Sequence, residues 1–153
     1  MLYVLVGNIA SGKSTYVNET INKNTIVVCN DTITNAVHGN NYKMYNRDLK
    51  PLYKMLETNM IYYGLSHDMT VIVDATNQKR STRARYIQLA KSAEKNVVAI
   101  CFAQEQPEIH ARRRANSDNR GYTYEEWLEV ATRMHKQFEP VLDNEGFSEI
   151  LHR

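Results

Sequence analysis

Leu2 to Thr15 read LYVLVGNIASGKST. Leu2 to Val6 form a short, almost uninterrupted apolar run, the pattern of a strand buried on both faces of a parallel sheet. Gly7 to Thr15, GNIASGKST, fit G-x-x-x-x-G-K-[ST] at every position, with a strand before and a helix, Lys13 to Ile21, after. Gly7 and Gly12 let the backbone curl, so that the amides of Asn8, Ile9, Ala10 and Ser11 turn inward around phosphate oxygens. The helix start at Lys13, Ser14 and Thr15 adds a positive N-terminal end. In this pattern Lys13 reaches the β and γ phosphates and the Ser14 hydroxyl is the expected Mg²⁺ ligand. The loop thus calls for a nucleotide's phosphates, and the N-K-x-D string of a guanine reader is absent, the nearest string, Asn77-Gln78-Lys79-Arg80, lacking both the spacing and the acid.

Working outward, apolar runs at 26–29, 71–73 and 97–102 read as further strands, and 147–151 as a weak last one. Helices are expected at 48–66, 81–94, about 108–116 and 124–142, with a polar loop at 38–46. In the helix at 48–66, Leu49, Leu52, Tyr53, Leu56, Met60 and Tyr63 recur every three or four residues and define one apolar face. The stripe of the last helix runs through Trp127, Ala131, Met134, Phe138 and Val141. Alternating strands and helices imply right-handed crossovers. The expected fold is α/β: a three-layer sandwich with a mainly parallel sheet of four to five strands, helices on both faces and an arginine-rich lid. Residues 1–153 are expected to make one domain. In such sheets ligands bind beyond the carboxyl ends of the strands.

The residues just after the strands carry the chemistry. Asp31, after the second strand, is placed either to take or orient the proton of an attacking hydroxyl or to cap a short helix over 32–37. Asp74 closes the third strand in TVIVDATN, the position of a second Mg²⁺-site residue in phosphate-loop enzymes, with turn chemistry as the alternative. Thr76 and Asn77 put short polar groups at the crevice. After the fourth strand, HARRRANSDNRG places Arg112, Arg113, Arg114 and Arg120 where a lid would close over phosphates. Lys79, Arg80, Arg83 and Arg85 open a helix with cations. That is mildly unfavourable against the helix dipole, and points either to an acceptor's phosphates or to a solvated helix start.

Taken together, GNIASGKST, NDT after strand two, VIVDATN, the stretch ending NRG and MHKQFEP resemble the phosphate-loop kinase family of polynucleotide 5′-hydroxyl kinases, in particular its bacteriophage-type kinase module. The resemblance runs over nearly the whole chain. It implies ATP-dependent phosphoryl transfer to a 5′-hydroxyl end of DNA or RNA, with Asp31 as general base. Lys13 and Ser14 would hold phosphates and Mg²⁺, and Arg120 would be the lid arginine on the transferring phosphate. Arg113 and Arg114 would border the nucleotide, and Thr76 and Asn77 would line the acceptor side. Two departures stand out. The family's arginine for the acceptor's 3′ phosphate is replaced here by Thr34, and the acid before its Thr-Asn pair by Ala75. Arg80, Arg83 or Lys79 are the expected substitutes. That loss also allows a kinase of another hydroxyl (nucleoside, nucleotide, sugar or tRNA-linked); a third reading, against which the intact Asp31 speaks, is a nucleotide-dependent nucleic-acid-binding module without transfer. The bifunctional members also carry a phosphatase domain, which is not expected within these 153 residues.

Composition narrows the classes. Of 153 residues, 19 are Lys or Arg and 17 are Asp or Glu, a formal charge of +2, which excludes a bulk polycation. The charge is uneven, however. Residues 79–120 hold ten basic and four acidic side chains, and residues 121–153 three and seven. No apolar run approaches the length of a membrane span and no leader pattern is present. Cys29 and Cys101 lie in apolar runs and read as free thiols of a reducing cytoplasm, the host's if the chain is phage-encoded. The five histidines lack metal-ligand spacing.

Overall fold

A computed structural model describes residues 1–118 and 120–153; Asn119, in the NRG string, lies outside the described residues. Five strands form a single sheet: β1 (Leu2–Val6), β2 (Thr25–Val28), β3 (Thr70–Val73), β4 (Val97–Cys101) and β5 (Glu149–His152). Their order is β2-β3-β1-β4-β5 and every pairing is parallel. β1 lies at the centre, with Leu2 in register with Val71 on one side and Val97 on the other.

Side-chain alternation along β1 builds two cores. Leu2, Val4 and Val6 point into one, with Val28, Ile61, Leu65, Val71 and Tyr86. Leu5 points into the other, with Tyr16, Val17, Ile72, Val98 and Ile100. Helices α3 (Lys50–Ser66) and α4 (Arg80–Ser92) supply the first face, and α1 (Lys13–Thr20) the second. A third cluster joins α5 (Pro107–Asn116) to α6 (Tyr124–Gln137) through Ala111, Trp127 and Ala131. Among the described residues, no helix is long and apolar enough to cross a membrane. The two thiols are free and partly buried.

Three elements differ from their sequence pattern. Helix α6 stops at Gln137, and Phe138 leaves it with extended backbone. Pro140 disfavours helical Glu139, so the helix ends early. Phe138 and Val141 still pack on the core, but from an extended segment. In α3 the buried residues are Tyr53, Glu57, Ile61, Gly64 and Leu65, while Tyr63 is 57% exposed and stacks on His67. A buried glutamate on the inner face hid the true stripe. The stretch expected to be a plain loop contains a 3₁₀ turn at Tyr42–Met44, and a second, Arg47–Leu49, leads into α3.

Arg83 fastens the C-terminal segment to α4. It is fully buried, and its guanidinium donates to the Glu145 carboxylate at 2.8 and 2.6 Å. It also donates to the carbonyls of Asn77, Gln78, Glu139 and Pro140 at 3.0–3.2 Å. Removing one partner of such a pair leaves a buried charge unanswered. Arg83→Met is therefore expected to lower unfolding free energy by about 3–5 kcal/mol, read from urea denaturation. The double variant Arg83→Met, Glu145→Leu should lose less than the single one. A single variant as stable as the parent would remove this role.

Candidate active site

All five strands run the same way, so β1, β2 and β3 deliver their following residues to one edge of the sheet. Beyond β1 the chain turns through Gly7–Gly12. Ala10 and Gly12 take positive φ, 47° and 100°. A Cβ at Gly7 would lie 2.6 Å from Ser11 Oγ and 3.0 Å from Phe102 Cβ, so a side chain there would have to displace both. Gly12 occupies the N-cap of α1 and offers no side-chain cap. The amides of Lys13, Ser14 and Thr15 thus open onto a hollow of about 470 Å³ lined by Ala10–Thr15, Arg113, Arg114 and Ser117. The expected phosphate-binding residues Ala10, Ser11, Gly12, Lys13, Ser14, Thr15, Arg113 and Arg114 are brought together there.

Asn8 is different. Its side chain is buried, donating to the Ala131 carbonyl at 3.0 Å and accepting the Ile9 amide at 2.8 Å, and Ile9 packs against the α5–α6 cluster. These two residues anchor the loop to α6 rather than facing the hollow.

Lys13 is held inside the loop. Its Nζ donates to the carbonyls of Gly7 (3.0 Å) and Asn8 (2.5 Å) and to Ser11 Oγ (3.2 Å). Burial pushes its ammonium down to about 8; the Asp74 carboxylate resists that shift and Arg114 adds to it. Burial also pushes Asp74 up, partly offset by Lys13 and reinforced by the charge of Asp31. Lys13, Asp74 and Asp31 therefore sense one another across the strand ends. The Ser14 hydroxyl and the Asp74 carboxylate are hard oxygen donors of the kind Mg²⁺ takes, and a cation near them would answer the crowding of Asp74 with Asp31.

Asp31 lies in the first turn of α2 (Asn30–Val37), whose N-cap position is Cys29, so it is not the cap. Its half-exposed carboxylate is ion-paired with Arg120. Asp118 presents that arginine: its carboxylate accepts the amides of Arg120 (3.0 Å) and Tyr122 (2.7 Å), closing the turn between α5 and α6. The Arg120 guanidinium also covers the Tyr42 ring at 4.1 Å. Arg114 stacks on Trp127, and Arg113 pairs with Glu105.

Of the residues expected on the acceptor side, Thr34 lines a second hollow beside Asp31, of about 330 Å³. Arg83 does not reach it, being sealed in its clamp on Glu145. Arg80 does not either: its amide donates to Glu139 and its guanidinium to Asn144, beside another hollow with Phe138 and Leu142. Asn77 is buried and donates to the Leu5 carbonyl at 2.7 Å. The Thr76 carbonyl accepts the Gly7 amide at 3.0 Å, so this pair ties β3 to β1. Arg85 likewise answers protein groups, paired to Glu57 and donating to Thr58, whereas Lys79 is exposed and its side chain has no partner among the described residues.

The second hollow is lined instead by residues the motifs did not single out: Tyr42, Tyr45, Tyr53, Lys50 and Lys54. The signal was present in YKMYNRDLKPLYK, where aromatic and basic residues interleave. A third hollow, of about 750 Å³, borders both: it shares Arg114 and Ser117 with the first, and Tyr42 and Tyr45 with the second.

Residues 2–141 match the family described as "AAA domain". No curated protein sequence matches. The fold is similar to that of a chain in the Pnkp1/Rnl/Hen1 RNA repair complex, with 17% identity, TM-score 0.69, and 96% of this chain but 49% of that one covered. It is similar to Kti12 of Chaetomium thermophilum, solved with ADP-AlF₃, at 18% identity, TM-score 0.60, and 100% and 88% coverage. A gluconokinase from Sinorhizobium meliloti 1021 gives 17% identity, TM-score 0.52, and 98% and 79% coverage. The chain spans about half the length of the first of these. The fold is that of phosphate-loop kinases.

The depressed Lys13 sets a pH dependence. With its ammonium at about 8 in the folded chain and 10.5 as the ordinary value, protonation of the folded chain is disfavoured in the window between the two. A nucleotide's phosphates favour the charged lysine and raise it again. Nucleotide binding should therefore take up protons above pH 7.5, and affinity should fall as pH rises through 8 to 9.5. Calorimetry in two buffers of different ionisation enthalpy checks this. Proton release, or affinity flat across that window, would contradict it.

Proposed function

We propose that this chain, which belongs to the AAA-domain family, transfers the γ-phosphoryl group of ATP to the 5′-hydroxyl end of DNA or RNA. The observation that carries this reading is Asp31 and its partner Arg120. Asp31 borders the tyrosine- and lysine-lined hollow, and Arg120 borders the third hollow, which shares Arg114 and Ser117 with that of the phosphate loop. A base on the acceptor side, ion-paired to a cation on the phosphate side, suits in-line transfer between the two. The RNA-repair setting of one structural relative is consistent with this acceptor. Residues 1–153 would act as one phosphate-loop kinase domain in a cytoplasm that keeps both thiols reduced.

In the reaction the 5′ oxygen bonds to the γ phosphorus as the bond from that phosphorus to the bridging oxygen breaks, and ADP leaves with the electron pair. Asp31 accepts the hydroxyl proton. Lys13 leaves the loop carbonyls for the phosphates, which offer a stronger, charged acceptor. Arg120 moves from Asp31 to the transferring group, and this frees the base as it neutralises the phosphoryl oxygens. Ser14 and Asp74 would hold Mg²⁺, which when bound neutralises charge on the phosphates. Arg113 and Arg114 border the nucleotide from α5.

Labelled ATP with 5′-hydroxyl oligonucleotides tests the proposal. Transfer to DNA or RNA ends is expected, with Asp31→Asn lowering kcat about 10²–10⁴-fold and Arg120→Ala about 10³-fold or more. Wild-type protein that consumes ATP with gluconate or a free nucleoside but not with any 5′-hydroxyl strand would assign it another acceptor.

A further inference from the structure

The third hollow lies between two segments, one carrying Tyr42 and Tyr45 and the other Arg114, Ser117 and Arg120. Arg120 reaches from one to the other: its guanidinium pairs with Asp31 and covers the Tyr42 ring at 4.1 Å. The Asp31 and Arg120 side chains are 48% and 23% exposed, and an ion pair this open to water holds only weakly by itself. The Tyr42 ring supplies a second contact of comparable strength, because a guanidinium is drawn to the negative face of an aromatic ring.

Tyr42 is in turn held in place. It stacks on Tyr45 at 6.4 Å and 19°, and Tyr45 stacks on Tyr53 at 5.5 Å and 29°. Tyr53 is buried, with its hydroxyl 2.6 Å from His38 Nε2 and accepting the Asn46 amide at 3.2 Å. The three rings and the guanidinium cover one another, so the stack is a support for the arginine and not a free surface. Its far end is fixed in the core and its near end lies under Arg120. The transfer proposed above takes Arg120 from Asp31 to the transferring phosphoryl group, and that move breaks the contact with Tyr42 as well. A contact made in one arrangement and lost in the other disfavours the second. The apparent affinity of a ligand that needs the second arrangement falls with the fraction of molecules that adopt it.

We infer that Tyr42 is a positioning residue that parks the lid arginine: its ring holds the Arg120 guanidinium on the Asp31 carboxylate until a γ-phosphate draws it away. Tyr42 thereby keeps affinity for a nucleoside triphosphate below what the site can give. It leaves affinity for a diphosphate, which lacks the group that Arg120 moves to, unchanged. It also keeps Asp31 occupied until that phosphate is in place, which ties release of the base to arrival of the donor. The inference rests on the function proposed above for the destination of Arg120, and not for the identity of the acceptor.

Calorimetric titration of the full chain with the β,γ-imido analogue of ATP and with ADP, each with Mg²⁺ and no acceptor, tests this. Tyr42→Leu should bind the analogue about three- to tenfold more tightly than the parent, and ADP as the parent does. Tyr42→Phe keeps the ring and should bind both nucleotides like the parent. In an Arg120→Ala background, Tyr42→Leu should change neither affinity, because no guanidinium is left to park. A ring that merely supports the fold would weaken binding when lost, for both nucleotides and with or without Arg120. Thermal melts check that each variant is folded, and Tyr42→Met, which fills the space without a flat face, takes the place of Tyr42→Leu if that variant is not. Unchanged or weaker binding of the analogue by the folded variant overturns the inference, as does an equal gain for ADP or a gain that persists without Arg120. A gain confined to the analogue, with no phosphate reaching any 5′-hydroxyl strand, leaves the parked arginine standing and fails the proposed acceptor. Transfer to such strands with no gain in Tyr42→Leu removes the role of Tyr42 alone.

Discussion

Parallel strands joined by crossover helices must all point their carboxyl ends to the same edge, and everything at the candidate active site depends on that constraint. Gly7 follows β1, Asp31 follows β2 and Asp74 follows β3, so residues up to 67 positions apart along the chain meet at one place. The central strand carries most of the weight. β1 is buried on both faces and paired on both sides, so the loop that follows it springs from the most constrained segment of the molecule. Anchoring of that loop to α6 through Asn8 then links the phosphate hollow to the helix pair that carries the arginines.

The cations of the site are held by internal groups. Lys13 rests on loop carbonyls, Arg120 on Asp31 and Tyr42, and Arg114 on Trp127. Each contact keeps a charge in place, and those of Lys13 and Arg114, made to neutral groups, are weaker than a charge-assisted contact with a polyphosphate. In the proposed reaction, the Arg120–Asp31 pair would couple phosphate neutralisation to release of the base. Away from the site, Arg83 serves a different purpose. Its charge is sealed by one carboxylate and four carbonyls, and it fixes the segment that delivers β5 to the sheet edge.

Much of this was legible in the sequence because it is local or periodic. The phosphate loop is nine consecutive residues whose types are dictated by backbone curvature and charge, and apolar runs of three to six residues mark the buried strands. Two of the differences share one cause. Arg80 and Arg83 are cations near an active strand end, yet their partners, Glu139, Asn144 and Glu145, lie some sixty residues away. Glu57 interrupted the apolar stripe of α3 because its partners, Arg85 and Tyr86, come from another helix. Pro140 did signal the early end of α6, through its effect on the preceding residue, but the continuing apolar stripe hid it.

The sequence by itself determined the sheet class, the phosphate loop and which carboxylates stand at strand ends. These follow from short-range sterics and from the alternation of buried and exposed positions. Tertiary structure alone decided which cations are free to meet a ligand and which are consumed by the protein, because an arginine's partner is set by packing across the chain and not by its neighbours in sequence. It likewise brought three tyrosines and two lysines from a polar loop and a helix start into one wall beside Asp31.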